Sequence, residues 1–217
     1  CESGSNNVAV GRNVAGGIRG AQNCVVIGKD ANVSGQDVDN EIIIGKGAAG
    51  NGSNTITLGN SSIGAIHANT DTITAFSDSR IKDNIRDSSL GLDFINALRP
   101  VKYEKKHPSE YPEEIRPAEY SEQTLTRTRK DDDGNEIEFT ETIEAETKPE
   151  EWQPTTEYGL IAQEVKAVME SQNATDWQGH KTLPNGTQSL GYGSLITVLV
   201  KAVQELTARI DQLESGE

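Results

Sequence analysis

Ser77 and Lys82 are the two side chains of this sequence that together could do covalent chemistry. They lie five positions apart in the stretch Ser77-Asp78-Ser79-Arg80-Ile81-Lys82-Asp83-Asn84-Ile85. A serine hydroxyl is a weak nucleophile until a base takes its proton. A lysine amine serves as that base only when burial or a neighbouring cation favours its neutral form. Arg80 is such a neighbour, and burial between chains would supply the rest. Ser77 directly follows the Phe76-Ser77 bond, so its hydroxyl can attack the Phe76 carbonyl through a five-membered cyclic intermediate. The resulting N-to-O acyl shift gives an ester that water hydrolyses, and attack from within one residue has the high effective concentration of an intramolecular reaction. Asp78 can orient Lys82, cap a turn or pair with Arg80. An oxyanion donor is also required, from backbone N–H groups or from a side chain such as Asn84. By itself a Ser-X4-Lys spacing is common and reads as a polar linker between domains.

The elements around this stretch follow two different patterns. Before it, an Asn, a β-rich triplet and a Gly recur as Asn6 with Val8-Ala9-Val10-Gly11, Asn23 with Val25-Val26-Ile27-Gly28, Asn40 with Ile42-Ile43-Ile44-Gly45, and Asn54 with Ile56-Thr57-Leu58-Gly59. The Asn stands five residues before the Gly in each copy, and successive Gly positions are 17, 17 and 14 apart. A short strand and a Gly-supported turn at this period predict a β-roll or β-solenoid, one strand per coil, with Gly at the φ > 0 corners. Such short coils bury little apolar surface in one chain, so three chains sharing a core are expected. The repeats resemble the heads of trimeric autotransporter adhesins and similar phage fibre shafts.

After Ser77 the period changes. Ser88-Ser89 can cap a short helix presenting Leu92, Ile95 and Leu98, which Pro100 ends, and Val101 to Glu104 reads as a strand. Gln123 to Arg129 and Glu136 to Ile143 alternate in polarity around Asp133-Gly134, which predicts an exposed β-hairpin with irregular flanks marked by Pro108, Pro112, Pro117, Pro149 and Pro154. Tyr158 through Met169 reads as an amphipathic helix, and residues 173 to 193 show turns without a clear period. From Ile196 through Leu199, Val203, Leu206 and Ile210 to Leu213, steps of three and four predict a coiled-coil seam in a helix over 194–215.

Composition narrows the function classes. Hydrophobic residues make up only 34% of the 217 and the formal charge is −14, so a nucleic-acid or anionic-membrane partner is not expected. Residues 104 to 157 hold 17 acidic and 7 basic residues, so the acidity is local. Cys1 and Cys24 are too few for a disulfide framework. His67, His107 and His180 lack ligand spacing, so no metal or other cofactor is expected. No apolar run is long enough to span a bilayer and no membrane insertion is expected.

Three blocks carry a family resemblance: Ser77 to Ile85, Leu98-Arg99-Pro100-Val101-Lys102-Tyr103, and Gly159-Leu160-Ile161-Ala162-Gln163-Glu164-Val165, closed by the heptad helix. They resemble the intramolecular chaperone of endosialidases and other phage tail spikes and fibres, also classed as the S74 self-cleaving peptidases. The resemblance spans residues 77 to 217. It implies a homotrimeric chaperone, made in the host cytoplasm, that guides folding of the preceding fibre and cuts itself off before Ser77. Ser77 would be the nucleophile, Lys82 its base, and Asp78, Arg80 and Asn84 possible supporting groups. The fibre part would remain in the virion and serve host attachment, with a surface receptor as a further possible partner.

The fold class expected is therefore a mixed, elongated homotrimer. Residues 1–76 form a β-repeat shaft, and residues 77–217 form an α+β chaperone with an acidic insertion at 104–157. A permanent, uncut trimeric tip and a receptor-binding or adhesin module are the alternatives.

Overall fold

The computed structural model describes residues 4–14, 19–69, 73–131 and 135–216. In chain order these form the repeat strands β1 (Val8–Val10), β2 (Val25–Ile27), β3 (Ile42–Ile44) and β4 (Ile56–Leu58), then helix α1 (Leu92–Ala97) and strand β5 (Val101–Glu104). The long strands β6 (Gln123–Lys130) and β7 (Glu136–Ile143) follow, then β8 (Thr156–Gly159) and helix α2 (Ala162–Ser171). Strands β9 (His180–Thr182) and β10 (Gln188–Leu190) lead to the final helix α3 (Leu195–Ser215). The fold is mixed α/β. The chain divides into two compact units, one of residues 1–65, 104–155 and 183–187, the other of residues 66–103, 156–182 and 188–217.

In the first unit β1 to β4 form one parallel sheet in which equivalent repeat positions pair, Val8 with Val25, Val25 with Ile42 and Ile42 with Ile56. Side chains alternate across a strand. The central Val26 and Ile43 are therefore buried among Ala21, Cys24, Ala31 and Ala48. Val8, Val10, Ile27, Ile44, Ile56 and Leu58 lie on the exposed side.

The repeated Asn and Gly residues have separate backbone tasks. Asn6, Asn23, Asn40 and Asn54 all adopt left-handed φ of 55 to 62°. Asn is among the few residues other than Gly that tolerate this region. Their side chains bond from repeat to repeat, Asn6 to Asn23 at 3.2 Å and Asn40 to Asn54 at 3.0 Å. The left-handed corner expected of Gly is thus shared with Asn. Gly28, at φ 139°, meets a further demand, because a Cβ there would lie 2.2 Å from the Gly45 carbonyl oxygen. Inside the repeats the fully buried Glu41 carboxylate accepts the Ser34 and Gly52 N–H groups at 3.0 and 2.7 Å. Satisfying two loop donors compensates the loss of water around that carboxylate.

The acidic residues of the same unit form the expected antiparallel hairpin, with Gln123 opposite Ile143 and Lys130 opposite Glu136. Asp133-Gly134, read as its turn, lies outside the described residues. Three 3-10 turns, Pro108–Glu110, Glu113–Ile115 and Ala118–Tyr120, replace the irregular flank before it. His107 is buried with its ring edge-on to Tyr120 and Trp152, centroids 5.2 and 5.3 Å away. Glu146 pairs with Lys46 at 3.0 Å, and Glu119 accepts from the Asn60 amide at 3.0 Å.

The second unit packs Phe94, Val165, Met169, Ala174 and Val198 into one core, with Trp177 edge-on to Phe94 at 5.3 Å. Two helix boundaries differ from the sequence reading. Tyr158 and Gly159 belong to strand β8, which pairs with β5, and the helix starts only at Ala162. Pairing with β5 overrides the helical spacing of the apolar residues there. Nor does Ser88 or Ser89 cap α1. Its N-cap is Gly91, which offers no side chain, and Glu205 of α3 accepts the Leu92 N–H at 2.8 Å instead. The stretch read as periodless, 173 to 193, contains the antiparallel β9–β10 pair.

Helix α3 has 21 residues and buries only one side of itself, Val198 and Ala202. Ile196, Leu199, Val203, Leu206, Ile210 and Leu213 are all at least 43% exposed.

Candidate functional site

Every residue from Ile73 to Ser89 is exposed, and Phe76 is 97% exposed. Within this stretch the chain makes one tight turn. Asp78 takes extended backbone, φ −65° and ψ 135°, and starts a 3-10 turn over Ser79–Ile81. The Ile81 N–H bonds to the Asp78 carbonyl and the Lys82 N–H to the Ser79 carbonyl, each at 3.2 Å. Reversing the chain in this way returns Lys82 to Ser77. Its Nζ donates to the Ser77 Oγ at 2.8 Å.

The supporting residues divide clearly. Asp78 does not bond to Lys82. Its Oδ1 accepts the Arg80 backbone N–H at 2.9 Å, and its two oxygens take the Arg80 Nε and terminal nitrogen at 3.0 and 2.6 Å. The Arg80 side-chain and backbone bonds hold the Asp78 carboxyl below its ordinary range, and the same pair raises Arg80. Arg80 is thereby charge-compensated by Asp78. Asn84 has left-handed backbone, φ 51°, and its N–H bonds to the Asp83 carboxylate at 2.8 Å. The N–H groups of Arg80, Ile81, Lys82 and Asn84 are all engaged locally. None of them is therefore open to serve as the oxyanion donor in this arrangement.

Chemically, a hydroxyl hydrogen-bonded to an amine beside an exposed peptide bond can accept general-base activation. Among the described residues no group of three or more His, Cys, Asp or Glu side chains is arranged to hold a metal ion. None of the described helices is long and apolar enough to cross a membrane.

Residues 77–122 match the family model described as chaperone of endosialidase, peptidase S74. The S74 match starts at Ser77 itself and takes in the Ser77–Lys82 turn, α1, β5 and the three 3-10 turns that follow. It covers less than half of the chain. Searches of the curated proteins and of the solved structures found no match.

Two of the blocks that carry the S74 resemblance meet in space. Arg99, after α1, donates its Nε to Glu164 of α2 at 3.0 Å, and a second guanidinium nitrogen completes the pair. Leu98, Leu160, Ile161, Val165 and Val168 line the shallow apolar recess beside it. Sequence reading did not single out Glu205 or Tyr192. The Tyr192 hydroxyl accepts the Leu160 N–H at 2.9 Å, just after β8. Neither residue has a local signal, because their partners lie 113 and 32 positions away.

Proposed function

We propose that residues 77–217 are an intramolecular chaperone at the end of a phage tail fibre or spike. In this reading the chaperone trimerises, registers the preceding β-roll shaft of residues 1–76, and then cuts the Phe76-Ser77 bond once. The observation that carries it is the 2.8 Å bond from Lys82 to Ser77, placed at the first residue of the S74 match.

The reaction is written from this chain's own atoms. Neutral Lys82 takes the Ser77 Oγ proton as the oxygen attacks the Phe76 carbonyl carbon. Collapse of the tetrahedral intermediate breaks the Phe76–Ser77 C–N bond, and the departing nitrogen receives the proton from Lys82. The ester formed on Ser77 is then hydrolysed by water. One product ends in the Phe76 carboxylate, and the other begins with Ser77 carrying a free amine and its hydroxyl. No cofactor enters the balance.

Association of chains has its own support. The α3 seam from Ile196 to Leu213 and the outer strand residues Val8, Val10, Ile56 and Leu58 are apolar and exposed in the single chain. Exposed apolar surface of this extent is characteristic of an interface. A domain that trimerises first raises the effective concentration of three shafts and lowers the cost of their non-local pairing. Once the chaperone is cut away, the shaft has lost its template and stays folded by its unfolding barrier.

Intact-mass spectrometry of freshly folded protein, together with light scattering, tests the reading. Fragments of residues 1–76 and 77–217 and a trimeric mass are expected. Ser77→Ala and Lys82→Ala should each leave an uncut trimer. An uncut wild-type chain would refute self-cleavage, and cutting that persists in either variant would refute the dyad.

A further inference from the structure

We infer that Asp78 is a positioning residue for the Ser77–Lys82 pair, and that Arg80 is the clamp through which it acts. The inference rests on the self-cleavage reading above. Its basis is the geometry of one turn. Lys82 reaches Ser77 only because the backbone reverses over Ser79–Ile81, and Asp78 holds that reversal at its start. One carboxylate oxygen accepts the Arg80 N–H at 2.9 Å, and the guanidinium folds back onto both oxygens. A lysine side chain has four rotatable carbon bonds, so its amine meets a particular hydroxyl often only if the backbone between them is fixed. All residues from 73 to 89 are exposed, so no packing from another element does this work in the single chain.

The same carboxylate has an electrostatic consequence. The other charged residues of the same exposed segment are Asp78, Arg80, Asp83, Arg86 and Asp87. Asp78 neutralises Arg80 in place. Removing the negative charge while keeping an oxygen in position leaves the guanidinium uncompensated two residues from Lys82. An unpaired cation close to an amine favours its neutral form. Because the base must be neutral to act, cleavage of such a variant should begin at lower pH.

The experiment uses the full chain, made by cell-free translation and then diluted into buffers across the neutral to alkaline range. The readout is the fraction cut over time. Asp78→Ala loses both the cap and the clamp, and should cut about fivefold to tenfold more slowly, the scale of a lost helix-cap bond at a rate-controlling geometry. Asp78→Asn keeps an oxygen for the Arg80 N–H. It should cut within about threefold of wild type at its best pH, with the rise of rate moved to lower pH. Circular dichroism and oligomer mass matching wild type establish that both variants fold. If Asp78→Ala cuts at the wild-type rate, or the Asp78→Asn profile rises where wild type does, the inference is overturned while self-cleavage stands. A wild-type chain that stays intact overturns self-cleavage instead.

Discussion

Glu205 in α3 caps α1 from outside, its Oε2 accepting the Leu92 N–H at 2.8 Å. Helix α1 has six residues and begins after Gly91, which has no side chain to satisfy the first free N–H groups. The cap is therefore tertiary, and it ties helix α3 to the element that follows the candidate dyad. A Cβ on Gly91 would lie 2.5 Å from the same carboxylate oxygen. Glu205→Ala should lower stability by about 1–2 kcal/mol, as for a lost cap, and Gly91→Ala should destabilise through collision. The double variant should be less unstable than the sum, because both changes act on one contact. Urea unfolding at fixed protein concentration measures this, and additive losses would contradict the shared contact.

The repeat glycines give a second test, with a built-in control. Gly28→Ala places a methyl group within 2.2 Å of the Gly45 carbonyl oxygen, on backbone at φ 139°. Both effects oppose it, so a loss of at least about 2 kcal/mol is expected. Gly64 has nothing within 4 Å of where a Cβ would stand. Gly64→Ala should change stability by less than about 0.5 kcal/mol. Equal melting temperatures for the two variants would contradict the close stacking of the repeats.

Arg99 and Glu164 give a pH-dependent test. The Arg99 side chain holds the Glu164 carboxyl below its usual 4.5. A carboxylate depressed in the folded state contributes stability that is fully present above its unfolded value. That contribution disappears as pH falls through the lower, folded value. The melting temperature of wild type should therefore exceed that of Glu164→Gln above about pH 5, and the gap should close as the solution is made more acidic. Both groups are exposed, so the gap is small and salt-sensitive. A gap that persists in strong acid, or that grows there, would remove the ion pair as its cause.

Much of the local architecture was legible in the residues. The repeated Asn and Gly placed β1 to β4, because a left-handed corner and a close approach each admit very few residue types. The β6–β7 pair followed from alternation, and the long helix α3 from its steps of three and four. Tyr158 and Gly159 misled because helical spacing and a strand share apolar residues, and only the partner β5 decides between them. The α1 cap misled for a related reason. Serine before a helix is a good local signal, but a carboxylate from another helix occupied the role.

For the candidate site, the sequence by itself singled out the residues whose types and spacing suit the proposed chemistry. Ser77 precedes a suitable lysine by five positions and follows the bond it would break, and residue types alone establish that. Only the tertiary structure decided that Lys82 turns back to Ser77 and that Asp78 holds Arg80 rather than Lys82. The physical reason is that side-chain pairing depends on the path of the backbone between the partners. A 3-10 turn and a flexible linker contain the same five-residue spacing, and they differ in whether the amine meets the hydroxyl.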